Sequence, residues 1–157
     1  MRLVIQRVTE AEVRVRGESV ARIGRGLLVL LGAERGDDER AAEEAARKVA
    51  GLRIFGDENG RMNLDLAAVG GSVLVVSQFT LGADLSRGRR PGFERALPGD
   101  EARPVYERFA RALAGRGVPV ATGEFGAMMQ VALVNDGPAT FVLEVRAGSG
   151  LHESSGR

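Results

Sequence analysis

Two short apolar runs, each bounded by glycine, limit what this chain can become more than anything else in it. Residues 27–31 read Leu-Leu-Val-Leu-Leu between Gly26 and Gly32, and residues 73–76 read Val-Leu-Val-Val behind Gly70 and Gly71. Both are too short for a helix, and neither offers a polar side to water, so both predict buried strands. Such strands need cover. At 157 residues, with 44% apolar and 27% charged side chains, the chain is long enough to supply it from one domain with a sizeable core.

The remaining pattern says what that cover is. Residues 2–9 and 11–15 are rich in valine and isoleucine and partly alternate, as strands do, with Gly17 as punctuation and residues 19–23 continuing the pairing. Residues 38–52 predict an alanine-rich helix with Asp37 as its cap. Its apolar stripe is Ala42, Ala45, Val49 and Leu52, and its solvated face pairs Glu43 and Glu44 with Arg47 and Lys48. Residues 52–55 and 62–66 read as short strands around the turn Asp57-Glu58-Asn59-Gly60. A second helix is predicted over 100–113, with Asp100 as cap, Pro104 in the first turn, and Val105, Phe109 and Leu113 as core stripe. Residues 118–122, 130–134 and 140–145 read as strands, the last two joined by a turn at Asn135-Asp136-Gly137-Pro138. The fold class that follows is α/β, with mixed, largely antiparallel sheets covered by two main helices. Residues 1–146 form one domain in this reading, and residues 147–157 a flexible tail.

Composition removes whole classes of chemistry. There is no cysteine, and the single histidine, His152, lies in the tail, so thiol catalysis, a Ser-His-Asp triad and thiolate metal sites are excluded. No tight carboxylate cluster suggests a metal, and no nucleotide-cofactor loop is present; the expectation is neither metal nor cofactor. No run reaches membrane-spanning length and no leader pattern precedes the first strand, which points to the cytoplasm. The net charge is +1, but Arg87, Arg89, Arg90 and Arg95 crowd into one glycine- and proline-broken segment, a composition suited to phosphate as well as to a plain solvated loop.

Two stretches carry candidate chemistry. Ser77-Gln78-Phe79-Thr80 follows the second buried run, placing two hydroxyls and an amide where a strand leaves the core. The plain reading is a strand end with Phe79 in the core; the other is a ligand site. Asn135 to Thr140, read Asn-Asp-Gly-Pro-Ala-Thr, is by residue type a β-turn, and its Gly-Pro bond has the option of being cis.

Taken in series, these stretches make a third reading available. Ile-Gln-Arg-Val at 5–8, Ser-Gln-Phe-Thr-Leu at 77–81, the Arg-Gly-x-Arg-Pro-x-Phe spacing at 87–93, and the run from Gly123 to Thr140 resemble the D-aminoacyl-tRNA deacylase family, in its bacterial and eukaryotic branch. The resemblance covers residues 1–146 in order. It implies a homodimer that hydrolyses the ester of D-aminoacyl-tRNA, and of glycyl-tRNA mischarged on an alanine tRNA. By the same resemblance, Ser77, Gln78, Phe79 and Thr80 line the aminoacyl pocket. Gly137 and Pro138, joined by a cis bond, enter the partner's pocket and exclude L side chains. Arg7, Asn135 and Thr140 support them, Phe125 and Met129 hold the adenosine, and Arg87, Arg89 and Arg90 approach tRNA phosphates. Ala139 and Met128 depart from the family pattern, which has valine and a polar residue there. In the implied mechanism, main-chain N–H groups hold the ester carbonyl and the substrate's own 2′-hydroxyl assists water. Alternatives are a Thr80 nucleophile, a serine esterase built on Ser77, and a non-catalytic nucleic-acid-binding dimer.

Overall fold

The computed structural model describes residues 1–146; the tail expected at 147–157, with His152, lies outside the described residues. The elements run β1 (Arg2–Val15), β2 (Glu18–Ile23), β3 (Gly26–Gly32), α1 (Glu39–Ala50), β4 (Phe55–Gly56), β5 (Met62–Leu64), α2 (Leu66–Val69), β6 (Ser72–Ser77), a 3-10 turn (Phe79–Gly82), α3 (Gly99–Ala114), β7 (Val120–Thr122) and β8 (Gln130–Glu144). β3, β6 and β7 are parallel neighbours, connected through α1 and then α3. β1 lies antiparallel to β3 along its first half, to β2 along its second, and to β8 along both. β4 and β5 form a separate two-stranded pair. The mixed α/β architecture is the one the sequence predicts.

The two apolar runs are the centre of this sheet, and strand periodicity divides each between two cores. Leu27, Val29 and Leu31 of β3 and Val73 and Val75 of β6 face α1 and α3. Leu28, Leu74 and Val76 face the opposite way, against Val8, Ala11, Val13 and Ile23. Gly26 lets β3 and β6 approach, since a Cβ there would stand 1.8 Å from the Ser72 carbonyl oxygen. β1 serves both cores: Leu3 and Ile5 point to the helices, Ala11 and Val13 to the other side. An irregularity in its pairing with β8 between Val8 and Glu10 changes the phase. The predicted break between residues 9 and 11 is therefore a bulge within one strand.

The helices depart from expectation at their ends. α1 is capped by Asp38, whose side chain accepts from the Ala41 N–H at 2.9 Å, one residue later than predicted. Asp37 instead accepts from the Glu34 N–H at 2.7 Å and pairs with the Met1 α-ammonium at 2.6 Å, a buried charge that a cap could not have neutralised. Glu43 reaches across to Arg108 of α3, leaving Glu44 to pair with Arg47 and Lys48. α3 begins at Gly99 behind Pro98, with no side-chain cap; Asp100 lies inside its first turn. Pro104 consequently sits in the second turn, on an exposed face, and costs the helix the bond its N–H would have made to Asp100. The stripe of Val105, Phe109 and Leu113 is buried as predicted.

The largest departure concerns the last strand. Residues 130–134 and 140–144 are not a hairpin: both halves pair antiparallel with β1, as one strand. Val8 faces Asn135 and Gln6 faces Thr140, so residues 136–139 stand opposite Arg7 alone and bulge from the sheet. Turn-forming residue types describe the bend correctly but carry no information on whether the chain reverses afterwards. No helix among the described residues is long and apolar enough to cross a membrane.

Candidate active site

β3 and β6 run parallel, and their carboxyl ends lie side by side. Beyond β6 the chain folds over the end of β3: the Gln78 N–H donates to the Leu31 carbonyl at 2.8 Å. Gly32 makes this crossing possible, because a Cβ there would stand 2.8 Å from the Gln78 carbonyl oxygen and 2.9 Å from the Leu81 Cβ. The 3-10 turn of residues 79–82 starts at once, so Phe79 cannot turn back into the core. It is 56% exposed, which overturns the reading of Phe79 as a core residue, and its ring rests against Phe93 with centroids 5.2 Å apart.

These strand ends open onto a cleft of about 650 Å³. Ser77, Gln78 and Phe79 form one wall, and Phe125 and Met129 another, with Phe93, Pro98 and Tyr106 closing the sides. Two groups that are separated by almost fifty residues in the chain are thus brought into one cavity. Thr80 stands just outside the lining, where its Oγ1 accepts from Gln78 Nε2 at 2.6 Å. Tyr106, 4% exposed, donates its hydroxyl to the Val75 carbonyl at 3.1 Å. Burial pushes its phenol up to about 12, against an opposing hydrogen bond with Thr122, so it stays protonated at neutral pH. Among the described residues, the lining contains no carboxylate and no imidazole; Arg35 and Tyr106 are its titratable side chains. No cluster of potential metal ligands is present among them either. Such a cavity can hold a flat apolar group and hydrogen-bond a polar one, but has no side chain poised to move a proton.

Gly137 and Pro138 lie elsewhere. They occupy the exposed bulge of β8, the bond between them is cis, and neither borders the cleft of its own chain. Arg7, with only 13% of its side chain exposed, braces the bulge: its Nε meets the Asp136 carbonyl at 3.1 Å and carboxylate at 3.0 Å, and its Nη1 donates to the Ile54 carbonyl. Asn135 Oδ1 accepts from Gln6 Nε2 and Thr140 Oγ1, each at 3.4 Å. Arg87, Arg89 and Arg90 are exposed on a loop whose base is closed by paired backbone bonds between Asp84 and Gly92. Hydrogen bonds from Ser86 hold the Asp84 carboxyl below its usual range and fix that base. Arg95 is not available with them, since it pairs with Glu34 at 3.1 Å.

Sequence reasoning missed Asp136, Phe93, Tyr106 and Arg35. Phe93 ends the Arg-Gly-x-Arg-Pro-x-Phe spacing and Tyr106 adjoins the α3 stripe, so both carried a signal; Arg35 carried none.

A largely apolar cleft at the carboxyl ends of parallel strands, with a few polar groups along one edge, marks a ligand-binding α/β protein. Comparison with known proteins narrows this. A family model described as D-Tyr-tRNA(Tyr) deacylase matches residues 4–144. The chain is 58% identical over 152 residues to a D-aminoacyl-tRNA deacylase of Thermomicrobium roseum, covering 95% of this chain and 99% of that one. It is 54% identical over 149 residues to the corresponding protein of Geobacter sulfurreducens, covering 95% and 98%. Among solved structures, a c-Myc DNA unwinding element binding protein superposes with a TM-score of 0.88 at 41% identity, over 94% of this chain and all (100%) of that one. A probable eukaryotic D-amino acid tRNA deacylase shares the fold, with a TM-score of 0.77 at 20% identity over 90% of this chain and 97% of that one. The chain belongs to the D-Tyr-tRNA(Tyr) deacylase family.

Proposed function

We propose that this chain, as a cytoplasmic homodimer, hydrolyses the ester between a D-amino acid and the terminal adenosine of tRNA. Glycine esterified to tRNA is cleaved by the same site, because a filter against L side chains finds nothing to reject in it. The observation that carries the proposal is the cleft: an apolar wall at Phe125 and Met129 faces a polar edge at Ser77 and Gln78, with no acid or base between them. An aminoacyl ester is already activated, so orientation and oxyanion stabilisation suffice. The adenine lies against Phe125 and Met129. Main-chain N–H groups at Phe79 and Thr80, which open the 3-10 turn, take the ester carbonyl, and the ribose 2′-hydroxyl assists the attacking water.

Chirality is judged by a second copy. Gly137 and Pro138 of one protomer enter the other's cleft, where their carbonyls receive the substrate ammonium and their bulk excludes an L side chain. Support comes from their exposed position outside their own cleft, with Arg7, Asn135 and Thr140 holding the bulge. Among the described residues β8 pairs only with β1, and it exposes Val134 and Val142, at 50% and 66%, on either side of the bulge, apolar surface that a second copy would cover. Arg87, Arg89 and Arg90 meet tRNA phosphates.

The test is ester loss from D-Tyr-tRNA and L-Tyr-tRNA. Rapid release from the D form alone is expected; equal rates on both would overturn the chiral filter. A second reading, a nucleic-acid-binding dimer without catalysis, is favoured by the likeness to the c-Myc DNA unwinding element binding protein at 41% identity. It requires both esters to survive.

A further inference from the structure

Phe125 stands with Tyr106 between two cavities. One side borders the cleft; the other borders a shallow hollow of about 320 Å³ lined by Arg103, Arg111, Glu107, Thr122 and Gly123. The Arg103 guanidinium lies over the Phe125 ring, its carbon 4.6 Å from the centroid. A guanidinium held over a ring face spends none of its N–H donors on a conventional hydrogen bond there. Among the described residues, neither Arg103 nor Arg111 makes a side-chain hydrogen bond or ion pair. Glu107 stands one helical turn from each, yet pairs with neither, so two cations and one anion leave the hollow net positive.

We propose that this hollow binds a backbone phosphate of the RNA strand that delivers its terminal base to the cleft, with Arg103 and Arg111 as the ligands. The inference rests on the deacylase reading for the identity of the base and deepens it. In this proposal a base against Phe125 in the cleft leaves its strand to pass that ring, beside which stand the unpaired donors of Arg103 and Arg111. Arg103 then has two contacts: its guanidinium lies over Phe125, which also packs on Tyr106, and its N–H donors meet the phosphate. This site is distinct from the exposed arginine loop at 87–90, none of whose residues lines the hollow.

The experiment compares D-Tyr-tRNA with D-tyrosyl-adenosine, which carries no phosphate. Arg103→Gln and Arg111→Gln are each expected to lower the ratio of kcat/KM on tRNA to kcat/KM on the adenosine ester by about tenfold, through KM. The slope of log affinity for uncharged tRNA against log salt becomes shallower by about 0.7 to 1 per arginine removed. Arg103→Lys, which keeps the charge but not the planar fork, retains the steeper salt slope. An unmoved ratio together with an unmoved salt slope would overturn the site. Equal loss on both substrates would also overturn it, by showing that Arg103 acts only through Phe125. Should wild type hydrolyse neither ester, the deacylase reading falls by itself, and the binding arm with uncharged tRNA still decides the phosphate site.

Discussion

Tyr106 holds the wall of the cleft to β6 through the Val75 carbonyl, which also accepts from the Gly123 N–H at 2.9 Å. Because burial raises its phenol to about 12, the folded chain keeps that proton more tightly than the unfolded chain, whose tyrosine titrates near ~10. The contribution is therefore whole below pH ~10 and is lost as pH rises from there toward 12, by about 2 to 3 kcal/mol in all. Unfolding by urea between pH 9 and 12 is expected to show this decline in wild type and a flatter profile in Tyr106→Phe, which is itself less stable by about 1 kcal/mol. Thr80 presents the opposite case, an exposed hydroxyl engaged by Gln78 and by no base. Single-turnover hydrolysis by Thr80→Val is expected to slow by less than about tenfold, the worth of one hydrogen bond. Abolished turnover with intact tRNA binding would instead make Thr80 the nucleophile.

At the scale of elements, the bulge in β8 is braced mainly by Arg7 of the neighbouring strand, with a longer contact from Gln6 beside it. Arg7 ties the bulge to β1 and to the segment entering β4, using two main-chain carbonyls and one carboxylate. Asp136 is half exposed, so its charge contributes little beyond geometry; the carbonyls matter more. Arg7→Ala is expected to cost about 1 to 3 kcal/mol in denaturant unfolding. The ratio of D-Tyr-tRNA to L-Tyr-tRNA hydrolysis should fall further than the rate on the D substrate does, because the bulge loses position while the cleft of the same chain is untouched. Loss of rate on both at a constant ratio would contradict a selective role for this element.

For the whole molecule, the question is how many copies make a site. In the proposed dimer, the cleft of one chain holds the catalytic edge and the bulge of the other judges handedness, so chiral selection would need both copies. Val142, two-thirds exposed on β8, is no part of the cleft lining. Val142→Asp is expected to shift sedimentation from dimer to monomer and to remove D-aminoacyl-tRNA hydrolysis with it, while the circular dichroism spectrum is retained. A fully active monomer would show that one chain suffices.

The glycine-bounded runs at 27–31 and 73–76, the apolar stripe of α3 and the alanine face of α1 could all be read from the chain, because burial imposes period and composition on local sequence. The family resemblance likewise singled out Ser77 to Phe79 and Phe125 with Met129, all of which line the cleft. Only the resemblance implied that these two groups serve one substrate; the residue types do not say so, because their meeting depends on two parallel strands ending together and on Gly32 letting the main chain cross between them. Nor could turn-forming residues at 135–138 reveal that the chain continues along β1 rather than reversing. A bend is a property of a few dihedral angles, whereas its consequence is set by hydrogen bonds to a strand more than a hundred residues away. Local sequence determined the elements; only the tertiary pairing decided which side chains face one another, and so what chemistry they can share.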